Sequence, residues 1–363
     1  MLERRQWRSI DWLTILGLFV ASGFGLLVIY SASHAGPTPD LYKGQIARLV
    51  LGLVLLGLVM LFDYHAIVDR AEVFYIVIVG FLLYLVLFGG LRAGTNRWLE
   101  LGIGTFQPGE LAKIGIVIFL AKYFAAVRKD QLGTSEVLIT GIFVGIPFVL
   151  IALQPDLGTA ATIGIVYVTM VLLAGVRAKL LMIGAFVVVL ALPLGWKYAL
   201  KDYQKERIYT FLDPGRDPQG AGYQSIQSTI AIGAGGFTGK GWLEGTQSQL
   251  QFLPTPYTDF VFAVVAEEFG FVGVVTIIML YLVITLRCIE TARRARDRLG
   301  LYLVFGVLSM FVFQTLYNLS MVVGLVPIKG FPLPLMSYGG SSLLATMVGF
   351  GLILNVRMRR FVN

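Results

Sequence analysis

The sequence predicts an all-α, polytopic membrane protein with about ten transmembrane helices. Of the 363 residues, 57% are hydrophobic and only 14% are charged, whereas a soluble domain carries roughly 25% charged residues. The apolar residues fall in runs of about twenty, the length that crosses a bilayer as a helix. The runs lack strand alternation, so helices rather than a barrel must satisfy the backbone.

Ten apolar segments follow one another along the chain. The predicted spans are 12–30, 45–62, 71–90, 110–127, 135–153, 157–175, 179–199, 259–286, 301–325 and 338–356. We expect them to form a single membrane domain over residues 1–363. The stretch from 200 to 258 is the only long hydrophilic segment, and it becomes a large loop between spans 7 and 8.

The positive charges predict the orientation, because cytoplasmic loops carry an excess of Lys and Arg. An even number of spans puts both termini on one side, and most cations lie there, which makes both termini cytoplasmic. These cations are Arg4, Arg5, Arg8, Arg70, Lys122, Arg128, Lys129, Arg177, Lys179, Arg287, Arg293, Arg294, Arg296, Arg298, Arg357, Arg359 and Arg360; the short opposite loops hold Lys43, Arg92, Arg97 and Lys329. The net charge of +8 is mostly this topology signal, not a sign of nucleic-acid binding. The first span is expected to stay as a signal anchor, since no small-residue cleavage site follows it.

With this orientation, the 200–258 loop is extracytoplasmic. Its many aromatic residues are unlike a disordered linker. Residues 224–232 are expected to form a short interfacial helix, with Ile226 and Ile230 one turn apart. The glycine-rich stretch 233–241 is read as turns, or as backbone amides that bind a phosphate.

Several chemistries are excluded by composition. The only histidines, His34 and His65, lie far apart, so a histidine metal cluster is ruled out. Segment 235–241 imitates a phosphate loop but fails on spacing, with Gly241 where Ser or Thr belongs. One cysteine, Cys288, allows no disulfide within the chain. An ATP-driven reaction is therefore not supported, and any group transfer must be driven by an activated substrate.

Asp259 is the carboxylate that stands out, because it lies where the long loop enters a hydrophobic span. Ionisable groups at membrane depth are functional candidates. Three roles are open for Asp259: catalyst, transport site, or helix cap, a role Thr258 could also fill. A lone carboxylate beside a cation would stay ionised and could accept a proton.

Other ionisable groups share this predicted outer half, and each also has a structural interpretation. Glu110 and Lys113 can pair on one helix face, or Lys113 can serve catalysis. Asp156 suits the first turn of a helix. Arg48 can reach the headgroups or pair with a buried acid. Deeper along span 8, a structural partner is expected for both Glu267 and Glu268.

The end of the chain resembles the SEDS family (shape, elongation, division and sporulation). The resemblance rests on Gly324, Pro327, Gly330, Pro332, Pro334 and the segment Ser337-Tyr-Gly-Gly-Ser-Ser342. Family-like segments run through the whole chain: Arg97-Trp98, 106–110 with Lys113, 154–159, 207–222, 227–236 and 245–270. Two residues, Gly109 and Ser320, depart from the family pattern. Residues 211–218 and 222–224 are closer to the RodA branch of the family than to the FtsW branch.

The resemblance implies a peptidoglycan glycosyltransferase that polymerises lipid II at the outer face of the bacterial cytoplasmic membrane during cell elongation. It implies that Asp259 is the essential aspartate and that Lys113, Glu110, Arg48 and Asp156 are site residues. It also implies partners: a class B penicillin-binding protein, which supplies the transpeptidase, and the elongation proteins MreC and MreD. The rival classes are a lipid II flippase, the FtsW-type division paralogue and a non-catalytic scaffold.

The expected mechanism uses Asp259 as general base for an inverting transfer, with a lipid diphosphate as leaving group. Cations near the outer rim, Lys113, Arg48, Arg207 and Lys240, are expected to neutralise the diphosphates. No cofactor is required by the sequence. A divalent cation, Mg or Mn, could assist, although the sequence defines no ligand set for it.

Overall fold

The computed structural model describes residues 10–89, 97–100, 105–127, 131–217 and 220–360. Predicted topology cations Arg4, Arg5, Arg8, Arg92, Arg128 and Lys129 lie outside these residues. The helices are α1 (Trp12–His34), α2 (Leu41–Leu61), α3 (Tyr64–Asp69), α4 (Ala71–Phe88), α5 (Pro108–Ala126), α6 (Thr134–Leu153), α7 (Leu157–Ala174), α8 (Ala178–Leu194), α9 (Asp202–Leu212), α10 (Ala221–Ala234), α11 (Thr246–Gln249), α12 (Val261–Arg293), α13 (Arg298–Val322) and α14 (Gly340–Met358). Two short antiparallel strands, β1 (Leu99–Glu100) and β2 (Thr105–Phe106), precede α5, with Leu99 opposite Phe106.

The helices coincide with the predicted spans to within a few residues at most ends. In the described part of the chain, nine helices are long and apolar enough to cross a membrane. The predicted fourth span is the helix α5, which is not among the nine because it carries three charged residues, Glu110, Lys113 and Lys122. The all-α polytopic architecture is confirmed, and the count of ten spans stays a prediction.

Helix α5 tolerates its charges because it lies at the centre of the bundle. Pro108 occupies the first helical position, where a missing N–H costs little. The helix packs against α4, α7, α13 and α14, and most of its side chains are buried. By contrast, none of the described side chains of α8 is buried, so that helix lies at the periphery of the bundle.

Helix α12 differs from the uninterrupted span predicted for 259–286. It begins at Val261 and breaks at Gly270, whose φ of 62° and ψ of −158° are non-helical. The glycine-rich segment occupies the break: the amides of Phe271 and Val272 donate to the carbonyls of Gly236 and Phe237, at 3.0 and 3.2 Å. Non-helical backbone at membrane depth is tolerated where such bonds satisfy it.

The contact between the glycine-rich segment and α12 also accounts for several amides of that segment. The amides of Lys240 and Gly241 donate to the carbonyls of Glu267 and Glu268, both at 3.0 Å, and Gly239 N donates to Gly235 O at 2.8 Å. These amides are satisfied within the protein. Their use within the protein favours the turn interpretation of 233–241 over phosphate binding, and residues 235–241 brace the break in α12.

The predicted interfacial helix at 224–232 is found as α10, which is longer than expected at both ends. Ile226 and Ile230 are exposed on one side of it, as their spacing predicts. The fold of the 200–258 segment is therefore ordered in its described residues, with α9, α10 and α11 in sequence.

An ion-pair network ties the helices together at the end of the bundle where α1 begins and α14 ends. Asp11 is buried and binds Arg287 at 2.8 Å and Arg357 at 3.4 Å, which joins α1 to α12 and α14. Glu290 adds a contact to Arg294 at 2.8 Å. Buried charges persist where they are paired in this way.

We expect Gly239→Ala to destabilise the fold. A Cβ at Gly239 would lie 2.2 Å from the carbonyl oxygen of Glu268, at a φ of 81°, so the substitution adds a clash and backbone strain. The thermal unfolding midpoint in detergent should fall by several degrees. Gly233→Ala is the matched control, because its Cβ would meet nothing within 4 Å. Equal midpoints for the two variants would show that residues 235–241 do not brace the break in α12.

Candidate active site

A polar cavity of about 370 Å³ opens where α5, α7 and α14 begin. Four of the predicted site residues line it: Arg48, Glu110, Asp156 and Asp259. Sequence reasoning did not assign the other lining residues to the site, among them Arg97, Trp98, Gln107, Thr258, Gln314, Phe331, Tyr338, Gly339, Gly340, Ser341 and Ser342.

Asp259 does not cap α12. The N-cap is Phe260, which makes no side-chain capping bond, and the hydroxyl of Thr258 donates to Thr255 O at 3.2 Å. The expectation that Thr258 or Asp259 serves as the cap is therefore wrong. Within the described part of the chain, no hydrogen bond is donated to the carboxyl oxygens of Asp259. A partly buried carboxylate facing a cavity without a structural partner is free for chemistry.

The surroundings of Asp259 raise its pKa to about 6. Burial is the main cause, because it disfavours the charged form, and the positive charges of Arg97 and Arg207 oppose it. A carboxyl group with this pKa is mostly ionised at neutral pH, and it is more basic than an ordinary aspartate. Both properties suit a general base.

Asp156 is occupied as the N-cap of α7. Its carboxylate accepts hydrogen bonds from the amide of Thr159 at 3.1 Å, from the hydroxyl of Thr159 at 2.9 Å and from the side-chain amide of Gln107 at 2.6 Å. Arg97 is 3.9 Å away. The structure therefore gives Asp156 the capping role, and with it a place in the cavity wall that joins α5 to α7.

Glu110 and Lys113 form a buried ion pair at 2.8 Å. Lys113 is 1% exposed, and it lies behind Glu110 and does not line the cavity itself. The pair is the i, i+3 contact that the sequence predicts. Lys113 is therefore connected to the cavity by its ion pair with Glu110, which lines the cavity.

The cavity wall contains two helix N-termini and two arginines with unpaired donors. Gln107 and Gly339, the N-caps of α5 and α14, line it, and neither cap makes a side-chain capping bond. Helix N-termini offer free amides and a positive dipole end to anions. The guanidinium of Arg48 lies 4.6 Å from the ring centre of Tyr338, and its Nη1 is buried without a hydrogen bond, as is Nε of Arg97.

The loop 330–339 shapes one wall of the cavity by dipping into the bundle. Side chains from other helices satisfy its backbone. Gln45 of α2 donates to Ser337 O at 3.2 Å and accepts from Gly339 N at 3.4 Å. Tyr281 of α12 donates to Pro334 O. The contacts fix the place at which α14 starts, and with it the direction of its first amides.

Besides Lys113, two more of the predicted cations, Lys240 and Arg207, do not line the cavity. Lys240 binds the buried carboxylate of Glu267 at 3.0 Å and the hydroxyl of Thr246 at 2.6 Å, so it anchors α11 to α12. Arg207 donates to Ile328 O at 3.0 Å and acts on Asp259 through its charge. Lys329, next to Gly330 in the same loop, has its pKa lowered by burial and by Arg207.

The residues that the structure describes contain no group of three His, Cys, Asp or Glu side chains that could hold a metal ion. Of the acids in the cavity wall, Asp156 is hydrogen-bonded and Glu110 is paired with Lys113. Among the described residues, the structure therefore defines no protein ligand set for a divalent cation, and no catalytic step is assigned to one.

These features define a polytopic helical membrane protein with an acid-base cavity at one end of its bundle. The chain belongs to the family of cell cycle proteins that comprises FtsW, RodA and SpoVE, whose sequence profile matches residues 11–361. This confirms the family resemblance.

Named relatives cover nearly the whole chain. It is 38% identical to the peptidoglycan glycosyltransferase MrdB of Escherichia coli K12, over 96% of this chain and 92% of the relative. It is 36% identical to the probable peptidoglycan glycosyltransferase FtsW of Geobacter sp. strain M18, over 98% of each. It is 32% identical to the peptidoglycan glycosyltransferase RodA of Treponema pallidum, over 97% of this chain and 98% of the relative.

Solved structures show the same fold. A chain of a peptidoglycan synthase complex that coordinates polymerization and crosslinking superposes with a TM-score of 0.83 at 34% identity, covering 98% of this chain and 99% of that one. The rod shape determining protein RodA of Thermus thermophilus superposes with a TM-score of 0.74 at 28% identity, over the same shares of each chain.

We expect Lys113→Met to destabilise the protein by roughly 3–5 kcal/mol, because it leaves the carboxylate of Glu110 buried without its partner. The double variant Glu110→Gln/Lys113→Met should recover most of the loss, since no unpaired charge remains. Thermal unfolding in detergent measures both.

The control for this pair is on the same helix. Lys122 pairs with Glu72 at 2.7 Å, but the two side chains are 34% and 56% exposed, so Lys122→Met should cost at most about 1 kcal/mol. A Lys113→Met variant as stable as Lys122→Met would show that the buried pair contributes little.

Proposed function

We propose that this chain is a peptidoglycan glycosyltransferase that polymerises lipid II into glycan strands during cell elongation. The observation that carries the proposal is Asp259: a carboxyl group with a pKa raised to about 6, facing a polar cavity and free of structural bonds to the described residues. The names of the relatives supply the reaction class. The MrdB and RodA relatives favour elongation over division.

In the proposed reaction, Asp259 removes the proton from the 4-hydroxyl of the acceptor's GlcNAc. The oxygen attacks the anomeric carbon of the donor's MurNAc as the bond from that carbon to the diphosphate breaks. The electron pair leaves with the lipid diphosphate, the configuration inverts from α to β, and the proton stays on Asp259 until solvent takes it. The activated donor provides the driving force, so no nucleotide is needed.

The diphosphate of the leaving group fits the positive wall of the cavity. We place it against the start of α14, near the buried, unpaired Nη1 of Arg48 and Nε of Arg97. Donors fixed in advance stabilise charge as it develops in the transition state. Arg207 and Lys329 add positive charge behind the loop 330–339.

We further propose that the cavity is extracytoplasmic and that both termini are cytoplasmic in the bacterial inner membrane. The charge distribution supports this orientation, since Arg287, Arg294, Arg357 and Arg359 cluster at the end opposite the cavity. A class B penicillin-binding protein is the proposed partner, because a solved structure that this chain resembles belongs to a complex that coordinates polymerization and crosslinking. MreC and MreD are proposed as further members of the complex.

Asp259→Asn and Asp259→Ala should lower polymerisation by roughly 10²–10⁴-fold, the usual contribution of a general base. The assay gives lipid II to the purified protein with its transpeptidase partner, and polymer is resolved on a gel. Asp202→Asn is the matched control, because that carboxylate is exposed on α9. Polymer at the wild-type rate from Asp259→Ala would reject the proposed base. Movement of lipid II across vesicles without polymer would favour a flippase, and activation of the partner alone would favour a scaffold.

The rate should fall as the pH drops through about 6, because Asp259 is protonated below its pKa and a protonated carboxyl group cannot accept the proton. Below that pH the rate should decrease by about tenfold per unit if one proton is involved. A pH profile of kcat/KM measures the midpoint. An acid limb near pH 4, the range of an ordinary aspartate, would contradict the role assigned to burial.

Arg48→Gln should raise the KM for lipid II and lower kcat, since it removes a fixed cation from the wall that receives the diphosphate. Arg48→Lys should lose less, because it keeps the charge but not the fork of donors. The control is Lys43→Gln, an exposed cation on the same helix. If Arg48→Gln and Lys43→Gln have the same steady-state kinetics, Arg48 does not bind the diphosphate.

A further inference from the structure

Asn318 lies in the last turns of α13 and is fully buried. Its side-chain nitrogen donates to the carbonyl oxygen of Asp259 at 2.9 Å and to that of Phe331 at 2.6 Å. One atom thus joins the segment that carries Asp259 to the adjoining loop 330–339, which also lines the cavity. Resting on the proposed function, we propose that Asn318 is a positioning residue that holds the main chain of Asp259 so that its carboxylate faces the acceptor hydroxyl.

The chemistry of the clamp requires an amide. Both partners are carbonyl oxygens and only accept, so the group between them must donate two hydrogen bonds from one atom. A neutral NH₂ group does this without placing a charge in the bundle. The amide oxygen Oδ1 is buried without a partner, so the donor half of the side chain is the half in use. A carboxylate of the same shape would put an oxygen against two others.

The segment that carries Asp259 has no regular structure of its own, so contacts with other parts of the chain fix its course. Residues 250–260 form no helix or strand, and Gln251 and Thr255 have positive φ values of 60° and 46°. A second bond, from Tyr338 N to Tyr257 O at 2.8 Å, holds the segment two residues earlier. Without the Asn318 bond, we expect the carboxylate of Asp259 to move toward water, away from the cavity walls that bury it.

Asn355 provides a matched comparison within the same protein. It is also fully buried, and its side-chain nitrogen donates to the carbonyl oxygens of Val59 and Phe62, both at 2.6 Å. This clamp joins α14 to the C-terminal end of α2, roughly 16 Å along that helix from Arg48 at 1.5 Å per residue. Loss of either clamp breaks two hydrogen bonds to main-chain carbonyl groups, and loss of Asn355 also removes the acceptor of a bond from Nε of Arg359 at 2.9 Å. Only the Asn318 clamp holds Asp259.

The experiment compares Asn318→Leu with Asn355→Leu in the complex with the transpeptidase, using lipid II as substrate. Asn355→Leu should lose at least as much thermal stability as Asn318→Leu, since Asn355 also accepts a bond from Arg359. Only Asn318→Leu should lower kcat, by roughly 10- to 100-fold, with KM near the wild-type value. Its acid limb should also move to lower pH, because a displaced Asp259 is better hydrated. Asn318→Asp should be slower still, whereas Asn318→Ser, which keeps one donor, should be intermediate in rate and in acid limb.

Different outcomes test the role of Asn318 and the role of Asp259 as the base. A folded Asn318→Leu variant with wild-type kcat and acid limb overturns the positioning role. The same result for Asn318→Ser overturns it if Asn318→Leu does not fold. Equal kinetic losses in Asn318→Leu and Asn355→Leu, with unchanged acid limbs, also overturn it, because they show a general effect on stability. Full activity of Asp259→Asn would instead reject the proposed base itself.

Discussion

Irregular backbone inside a lipid-embedded bundle must find its hydrogen bonds within the protein, and the cavity of this chain depends on that requirement. The loop 330–339 enters the bundle because Gln45, Tyr281 and Asn318 bind its main chain. The segment 235–241 enters because α12 is broken at Gly270 and lends it free backbone groups. The loop 330–339 thus fixes the start of α14 at the cavity, and the segment 235–241 joins the two halves of α12.

The charges in and around the cavity divide into those that maintain the structure and those left free. Asp156 caps α7 and Glu110 is paired with Lys113, so neither acid is available to a substrate without breaking a buried contact. Asp259 is free of such bonds within the described part of the chain, and Arg48 and Arg97 keep unsatisfied donors. A free base beside free anion-binding groups is the arrangement that glycosyl transfer from a diphosphate requires.

Much of the site was predictable from the sequence, because charged residues in apolar spans are conspicuous. Arg48, Glu110, Asp156 and Asp259 were chosen on that ground, and all four line the cavity. Uncharged amides were overlooked: Gln314 and Asn318 lie in an apolar span, and Gln45 lies at the start of another. Their only sequence signal is a polar side chain within a hydrophobic window. Their roles depend on which carbonyl groups a distant loop presents to them.

Hydropathy is enough to predict membrane-spanning helices, because about twenty apolar residues match the thickness of a bilayer. The aromatic content of residues 200–258 is enough to predict that this segment is ordered. Packing leaves the carboxyl group of Asp259 free, because Phe260 and not Asp259 is the N-cap of α12. It also separated Lys240, which binds Glu267, from the cations at the cavity. Hydropathy is a property of single segments, whereas the partner of a charge depends on how those segments pack.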